Sequence, residues 1–348
     1  MTPPENNRTT GASPGAAPRV GIGITPFQED AEATIRLAMS AEKLGYAQFG
    51  AAEGWTQDAV VLLAQIAGVT SRIGLATGVL PVWSRTPTAI AMAAAGLQRA
   101  SHGRFELGLG ASSPPLVEGL HGLAWKRPID RMRKTIVVVR ALLRGDRVPL
   151  ERDDVRALRL GAPPEWPVEI SLAALSPASV RLAGELADHW LPFLWARSRL
   201  RDGRTLLAEG EARAEDPTTT GVTASVPLAI GEDEAATRRI AASWLLAYLT
   251  RMGPIYPRML RDRFGFTREV DALLASNQSG GPPQLPAAAE PLAREVTVMS
   301  TYAEAPDAVR AWLDAGADAI DLVLPLGVPE GQLREMLDAA APAAVQAA

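Results

Sequence analysis

One pattern recurs along this chain of 348 residues: a helical stretch, a glycine or turn, and then a short apolar run. In DAEATIRLAMSAEKLGYAQFGAAE, Asp30 is placed to cap a helix and Gly45 to end it, and the apolar run Ala47–Ala52 follows. Several of the runs are continuously apolar rather than alternating, which is typical of parallel strands covered by helices on both faces. The pattern therefore predicts an α/β protein built on a parallel sheet.

Eight apolar runs are predicted as strands. They are Val20–Thr25, Ala47–Ala52, Ile73–Val79, Arg104–Gly110, Val168–Ala174, His189–Leu194, Gly221–Ile230 and Ala319–Leu324. Eight βα units predict a closed (β/α)8 barrel, the TIM barrel, but strand number alone does not prove closure, so an open doubly wound sheet is the alternative. Residues 145–167 and 231–318 are predicted insertions after the fourth and seventh βα units, and the second is expected to form a lid or an oligomer surface.

Composition and charge exclude several classes of protein. With 47% hydrophobic and 21% charged residues, the chain can bury a large core. Its formal net charge of -4 gives no electrostatic reason to bind nucleic acid or an anionic membrane. Because there is no cysteine, disulfides and thiolate catalysis are excluded.

Residues 1–18 are predicted as a disordered tail without a signal peptide, ahead of a single domain at 19–348. We expect a soluble cytoplasmic protein.

The C-terminal ends of the strands are where a TIM barrel places its active site. Here they are poor in acids, bases and nucleophiles and rich in small and aromatic residues, a lining that suits a flat, largely apolar ring. The chain has three histidines, and Glu118-x-x-His121 is not part of an HExxH pattern, so we predict no metal site. GIGITP and GLGASS lack the third glycine of a dinucleotide fingerprint.

A few polar residues near these strand ends have two interpretations each. Glu53 is either an active-site acid or an exposed loop carboxylate. Ser112 and Ser113 either hydrogen-bond a ligand or cap the next helix, which is the commoner role of a serine before a helix. Arg85 either meets a phosphate or an acidic tail, or it is solvated. The residues alone leave these alternatives open.

Several longer segments together resemble the bacterial luciferase-like family of flavin and deazaflavin oxidoreductases. They include ATGVLPVWSRTPTAIAMAAAGLQRASHGRFELGLGASSPPLVEGLHGLAWKRPIDRMRK, VEISLAALSPASVRLAGELADHWLP and MGPIYPRMLRDRFGF, the last of which resembles the form found in coenzyme F420-dependent members. With GVTASVPLAIGEDEAA and AWLDAGADAIDLVLP, the resemblance covers residues 19–326. It implies a TIM barrel that holds reduced FMN or F420 at the C-terminal ends of its strands.

The resemblance also implies which residues form the site. Thr77, Gly78 and Val79 correspond to a bulge that supports one face of the cofactor ring, and a non-prolyl cis peptide is expected between Gly78 and Val79. Further cofactor contacts are implied for Gly110, Ala111, Ser112, Ser113, Ala174, Leu175, Ser176 and Pro177. We also expect the substrate pocket to be built from Phe27, Trp55, Trp83 and the long insertions. Gly54 stands where the sugar-phosphate dehydrogenase subgroup carries a catalytic histidine, which argues against that substrate class.

The resulting hypothesis is an F420-dependent oxidoreductase that transfers a hydride between C5 of the deazaflavin and a small organic substrate. Glu53 is the predicted proton donor, with Ser112 as the second candidate. A luciferase-like monooxygenase that uses reduced FMN and O2 is the alternative, and a non-catalytic flavin-binding barrel is a third possibility. Because relatives commonly dimerise through barrel helices, we also expect a homodimer.

Overall fold

Residues 19–150 and 154–347 are described by the computed structural model of the chain. The tail predicted at residues 1–18 lies outside the described residues. Among the described residues ten strands occur, and they are β1 (Arg19–Ile24), β2 (Gln48–Ala51), β3 (Gly74–Thr77), β4 (Leu80–Pro81), β5 (Phe105–Gly110), β6 (Glu169–Ala173), β7 (His189–Leu191), β8 (Gly221–Gly231), β9 (Val298–Thr301) and β10 (Ala319–Val323).

Helices alternate with these strands. They are α1 (Ala31–Lys43), α2 (Ala59–Val69), α3 (Pro87–Ala100), α4 (Pro114–Gly119), α5 (Pro128–Leu143), α6 (Pro177–Leu186), α7 (Leu200–Glu211), α8 (Glu234–Arg251), α9 (Ile255–Arg258), α10 (Thr267–Ser276), α11 (Glu290–Val296), α12 (Ala305–Asp314), α13 (Glu330–Ala339) and α14 (Pro342–Ala347). A π-helical segment, Met259–Arg263, follows α9. Of the helices described, none combines the length and the apolar character needed to cross a membrane.

The strands close into a parallel barrel of eight. Its order is β1, β2, β3, β5, β6, β7, β8 and β10, and β10 pairs with both β8 and β1. All eight predicted strands are present, so the TIM barrel is confirmed and the open doubly wound sheet was wrong. In this order β3 and β8 lie opposite each other, with three strands between them on either side. The loops that follow these two strands therefore face each other across the mouth of the barrel.

The predicted strand Ile73–Val79 is interrupted by a bulge. Strand β3 ends at Thr77, and the chain rejoins the sheet at β4, where Leu80 pairs with Leu109 of β5. The peptide between Gly78 and Val79 is cis, so the expectation drawn from the resemblance is confirmed. Two hydrogen bonds fix the bulge to the neighbouring strands. Thr77 Oγ1 donates to the carbonyl of Gly108 in β5 at 2.7 Å, and the Gly78 N–H donates to the carbonyl of Ala51 in β2 at 2.8 Å.

The two predicted insertions differ in structure. In the first, the described residues 145–150 and 154–167 contain no helix or strand. The second contains α8 to α12 together with β9, which the sequence analysis missed. Strand β8 is 11 residues long, and its last residues, Leu228–Gly231, extend beyond the barrel to pair with β9. The apolar run at 298–301 is thus a strand of this extension and not part of the barrel.

A polar cluster fills the lower part of the barrel interior. Glu106 accepts hydrogen bonds from Gln48 Nε2, at 2.9 Å, and from the Ser171 hydroxyl. His189 Nε2 lies 3.3 Å from Oε2 of Glu169. The ligand atoms of Glu106, Glu169 and His189 all lie within 4.8 Å of one another, so the described residues do bring metal-ligating side chains together here. The absence of a metal stays a prediction.

Burial shifts the protonation of two groups in this cluster. Burial, and then the charge of Glu106, raise the pKa of Asp321 to about 7. Burial opposes the charged form of His189, but its hydrogen bond to Glu169 and the nearby Glu106 outweigh that effect and raise its pKa. His189, whose role was unclear from the sequence, is therefore part of the barrel interior.

Replacing Asp321 by asparagine is expected to stabilise the protein at alkaline pH. In the unfolded chain this carboxyl loses its proton near its ordinary pKa of 3.8, whereas in the folded barrel it does so near 7. Its contribution to the free energy of unfolding thus falls as the pH rises from about 4 to 7, by roughly 2–4 kcal/mol. Chemical denaturation should show Asp321→Asn gaining stability over the native chain at pH 8 but not at pH 4. The exposed Asp216→Asn is the control, and a pH-independent difference for Asp321→Asn would contradict the assignment.

Candidate active site

The bulge between β3 and β4 borders the mouth of the barrel on one side. Gly78 is exposed there and Val79 is half-buried. Strand β5 passes so close to the bulge that a Cβ built on Gly108 would overlap the carbonyl oxygen of Thr77, and one built on Gly110 would lie 2.6 Å from Val79 Cγ2. Only glycine allows this approach. The bulge is thus fixed from behind and presents its backbone to the open mouth.

Ser112 and Ser113 follow β5 at the same rim. Ser112 has a φ of 65°, in the left-handed region, and turns the chain from β5 into α4. Ser113 occupies the N-cap position of α4, but its side chain makes no capping hydrogen bond. Its Oγ is buried and has no hydrogen-bond partner among the described residues. Since buried hydroxyls are normally satisfied, this atom is available to a bound ligand.

The loop after β6, Ala174–Pro177, forms the next part of the rim. Ser176 caps α6 in a capping box with Ser179, in which each side chain accepts the other's backbone N–H. Arg263, at the end of the π-helical segment, donates from Nη1 to the carbonyl of Leu175 at 2.9 Å.

Arg263 adds positive charge next to the N-terminus of α6. Its guanidinium carbon lies 4.2 Å from the ring centroid of Trp195, and burial lowers the pKa of the arginine. In the part of the chain that the structure describes, Arg263 forms no ion pair within 4.0 Å. A helix N-terminus carries partial positive charge, so the two together favour an anion at this rim.

Glu53 is held by the loop that follows β4. Its Oε1 lies 2.5 Å from Arg85 Nη1 and accepts a hydrogen bond from Ser84 at 3.1 Å, and its Oε2 accepts one from the N–H of Ala59 at 3.2 Å. Arg85 also pairs with Asp58 at 2.5 Å. Arg85 is thus paired with two carboxylates, and Glu53 is not an exposed carboxylate. These contacts join the loops after β2 and β4, and the proton-donor role of Glu53 stays a prediction.

A group of aromatic rings also lies at this end of the barrel, and we call it the aromatic wall: Phe27, Trp55, Phe193, Tyr248 and Tyr256. The ring centroids of Tyr248 lie 4.7 Å from Phe193 and 6.2 Å from Phe27, and Phe27 meets Trp55 at 4.9 Å. Phe27 and Phe193 follow β1 and β7, while Tyr248 lies on α8, after β8. Because β8 is opposite β3, Tyr248 follows the strand that lies across the barrel from the bulge, whereas Trp55 follows β2, the neighbour of β3.

The predicted substrate residues divide between two places. Phe27 and Trp55 meet in the aromatic wall, but Trp83 does not contact it. Trp83 is buried against Trp125, with ring centroids 5.7 Å apart, and Arg131 lies 5.2 Å from its centroid. Phe193, Tyr248 and Tyr256 were not among the residues predicted from the sequence. Tyr256 lies in the quoted segment MGPIYPRML, but nothing in the sequence shows that it meets residues from β7 and α8.

The second insertion covers the mouth. Tyr248 of helix α8 contacts Phe27, which follows β1, and Phe193, which follows β7. Just beyond α8, Gly253 lies close to α4, since a Cβ built on it would be 3.5 Å from Pro115. Arg263 contacts the loop after β6. The insertion thus touches loops from four strands of the barrel, as expected of a lid over the active-site face.

Comparison with known proteins decides the family. A model of the family described as luciferase-like monooxygenase matches residues 4–339. The chain belongs to this family. Over 282 residues it is 32% identical to a Mycobacterium tuberculosis protein that carries the name coenzyme F420-dependent oxidoreductase, a match that covers 74% of the chain and 79% of the relative.

Solved structures of this family share the fold. An F420-dependent secondary alcohol dehydrogenase, in complex with an F420-acetone adduct, superposes with a TM-score of 0.74 at 18% identity, over 95% of this chain and 99% of the other. The oxygenating constituent of 3,6-diketocamphane monooxygenase from Pseudomonas putida, in complex with FMN, has a TM-score of 0.64 at 18% identity, over 94% and 99% of the two chains. At these identities the structures establish the barrel and leave the choice of cofactor to other evidence.

Proposed function

We propose that this protein is a coenzyme F420-dependent oxidoreductase that transfers a hydride between C5 of the deazaflavin and a small organic substrate. The observation that carries the proposal is the mouth itself, where an exposed backbone bulge and an aromatic wall lie beneath a covering insertion. Such a site orients a flat ring and an apolar reactant and excludes water, while the redox chemistry belongs to the cofactor. The F420-dependent name of the M. tuberculosis relative supports the choice of cofactor.

The residues present fit such a group. F420, when bound, supplies or accepts a hydride at its C5. Thr77, Gly78 and Val79 would support one face of the ring, with Gly110, Ala111 and Ser112 beside it. The unpartnered Oγ of Ser113 offers a hydrogen bond. The loop Ala174–Pro177 would hold the cofactor at its phosphate side, where Arg263 and the N-terminus of α6 provide positive charge.

The reaction also moves a proton, and the structure adds a third candidate for it. Tyr248 is 5% exposed, and its hydroxyl makes no hydrogen bond within the described residues. Burial, and then the neighbouring Tyr256, raise the pKa of Tyr248 well above its usual value. The phenol is therefore a weak acid, but it can still give its proton to an alkoxide formed by hydride transfer to a carbonyl, because an alkoxide is more basic than a phenolate. Glu53 and Ser112 remain candidates, but the carboxylate of Glu53 is engaged by Arg85. We therefore propose Tyr248 as the stronger proton donor.

Removing the charge of Arg263 is expected to weaken cofactor binding. We expect Arg263→Gln to raise the dissociation constant of F420 about tenfold, because one charge-assisted contact to a phosphate is lost. Arg261→Gln is the matched control from the same π-helical segment, since Arg261 pairs with Asp271 and should leave the affinity unchanged. Fluorescence titration with F420 measures both. Equal affinity in the two variants would remove Arg263 from the phosphate site.

The alternative is a monooxygenase that uses reduced FMN. The FMN complex of the 3,6-diketocamphane monooxygenase constituent, which has the same fold, supports this alternative. The two functions differ in their need for oxygen. Under our proposal, reduced F420 is consumed anaerobically when a ketone or enone acceptor is added. Turnover that requires O2 and reduced FMN, with none from reduced F420, would favour the alternative. A homodimer and a cytoplasmic location stay predictions.

A further inference from the structure

A cleft of about 300 Å³ runs along α8. One side is formed by a face of α8 that includes Arg239, Trp244 and Ala247, and the other by the loop after β10, including Leu326. Phe27, a member of the aromatic wall, also lines the cleft. The cleft is therefore continuous with the candidate active site.

The ends of this cleft differ in chemistry. Near Phe27, Trp244 and Ala247 it is apolar, and Ala247 precedes Tyr248 of the aromatic wall. Arg239 lies eight residues before Ala247 on the same helix, which corresponds to about 12 Å along the helix axis. A molecule in the cleft would thus have its apolar part against the aromatic wall and its other end at an arginine.

Arg239 is available to a ligand. Its side chain forms no hydrogen bond or ion pair with any residue that the structure describes. Its neighbour Arg238, in contrast, pairs with Glu290 and donates to the carbonyl of Leu285. Ser243 and Gln332 also line the cleft and supply uncharged polar groups. Among the described residues that line the cleft, Arg239 is the sole charged one.

We propose that this cleft binds an amphipathic carboxylate, with the apolar chain along α8 and the acid group at Arg239. It follows, if the proposed function holds, that the substrate is an apolar acid whose reacting carbonyl or alcohol lies towards the end of the molecule remote from its carboxylate. Apolar lining supplies affinity, and the single arginine supplies the preference for an anion. A neutral compound of the same length binds the same cleft more weakly.

The test uses the full chain without added cofactor. Equilibrium binding of dodecanoate and 1-dodecanol, below their micellar or solubility limits, is measured by isothermal titration calorimetry. We expect dodecanoate to bind about five times more tightly than dodecanol, as one partly exposed ion pair allows. Arg239→Gln should abolish this preference while leaving the affinity for dodecanol unchanged. Arg251→Gln, at the exposed end of α8 and outside the cleft, should retain it.

The outcomes separate this inference from the proposed function. Equal binding of the two probes by the native chain, or a preference for dodecanoate that survives Arg239→Gln, overturns the inference even where F420 binds. A preference for dodecanoate that disappears only in Arg239→Gln supports the carboxylate site. This result does not depend on F420 binding, and F420 binding is the separate test of the proposed function. Failure of dodecanoate to bind also overturns the inference.

Discussion

Tyr248→Phe is expected to lower turnover by at least about 100-fold, the usual contribution of a positioned proton donor. The variant keeps the ring and its packing against Phe27 and Phe193, and it removes only a hydroxyl that makes no hydrogen bond within the described residues. The dissociation constant of F420 should therefore stay within a few-fold of the native value. Steady-state oxidation of reduced F420 gives the turnover, and fluorescence titration gives the affinity.

Three further variants make this result interpretable. Tyr256→Phe removes a neighbouring hydroxyl from the aromatic wall. We expect it to change turnover by less than about fivefold. The reason is that the ring of Tyr256 contacts Phe193 and Tyr248 but neither Phe27 nor Trp55. Glu53→Gln and Ser112→Ala test the donors predicted from the sequence. Turnover retained within a few-fold by Tyr248→Phe in a chemistry-limited assay removes Tyr248 from the mechanism. The same outcome for Glu53→Gln removes Glu53.

Gly108→Ala is expected to have the largest structural effect. A Cβ at this position overlaps the backbone carbonyl of Thr77, and a backbone atom cannot move aside as a side chain does. We expect the free energy of unfolding to fall by at least about 3 kcal/mol, at the upper end of overpacking costs. The bulge should move away from β5, and F420 affinity should fall with it, as measured by chemical denaturation and by titration.

Gly96→Ala is the matched control for that substitution. Gly96 lies within α3, and a Cβ built there meets nothing within 4 Å. Since alanine is the better helix former, this variant should gain about 0.5–1 kcal/mol. If Gly108→Ala were as stable as the native chain and bound F420 normally, the close contact between β5 and the bulge would not shape the site.

The sequence predicts the barrel well because the pattern that encodes it is local. Each strand is a short apolar run between turn residues. Helix α1 begins at the predicted cap Asp30, whose side chain does accept the expected hydrogen bond. The bulge at Gly78 was also visible, through its resemblance to the family and through the Pro81 that follows it. Strand β9 was missed because its partner is the extension of β8, a long-range pairing that no local pattern shows.

The candidate site was predicted in part. The rim residues from Thr77 to Pro177 lie at the strand ends as expected, because the barrel places all such ends on one face. Tyr248 and Arg263 were missed since they come from the second insertion, and only tertiary structure brings them to the mouth. Trp83 was placed in the substrate pocket from its position after the bulge, yet its ring is buried against Trp125.

Equilibrium titration of the purified protein with F420 and with FMN, each in both redox states, tests the central claim most directly. The account predicts micromolar binding of F420 and weaker or no binding of FMN. Micromolar binding of FMN with no binding of F420 would contradict it.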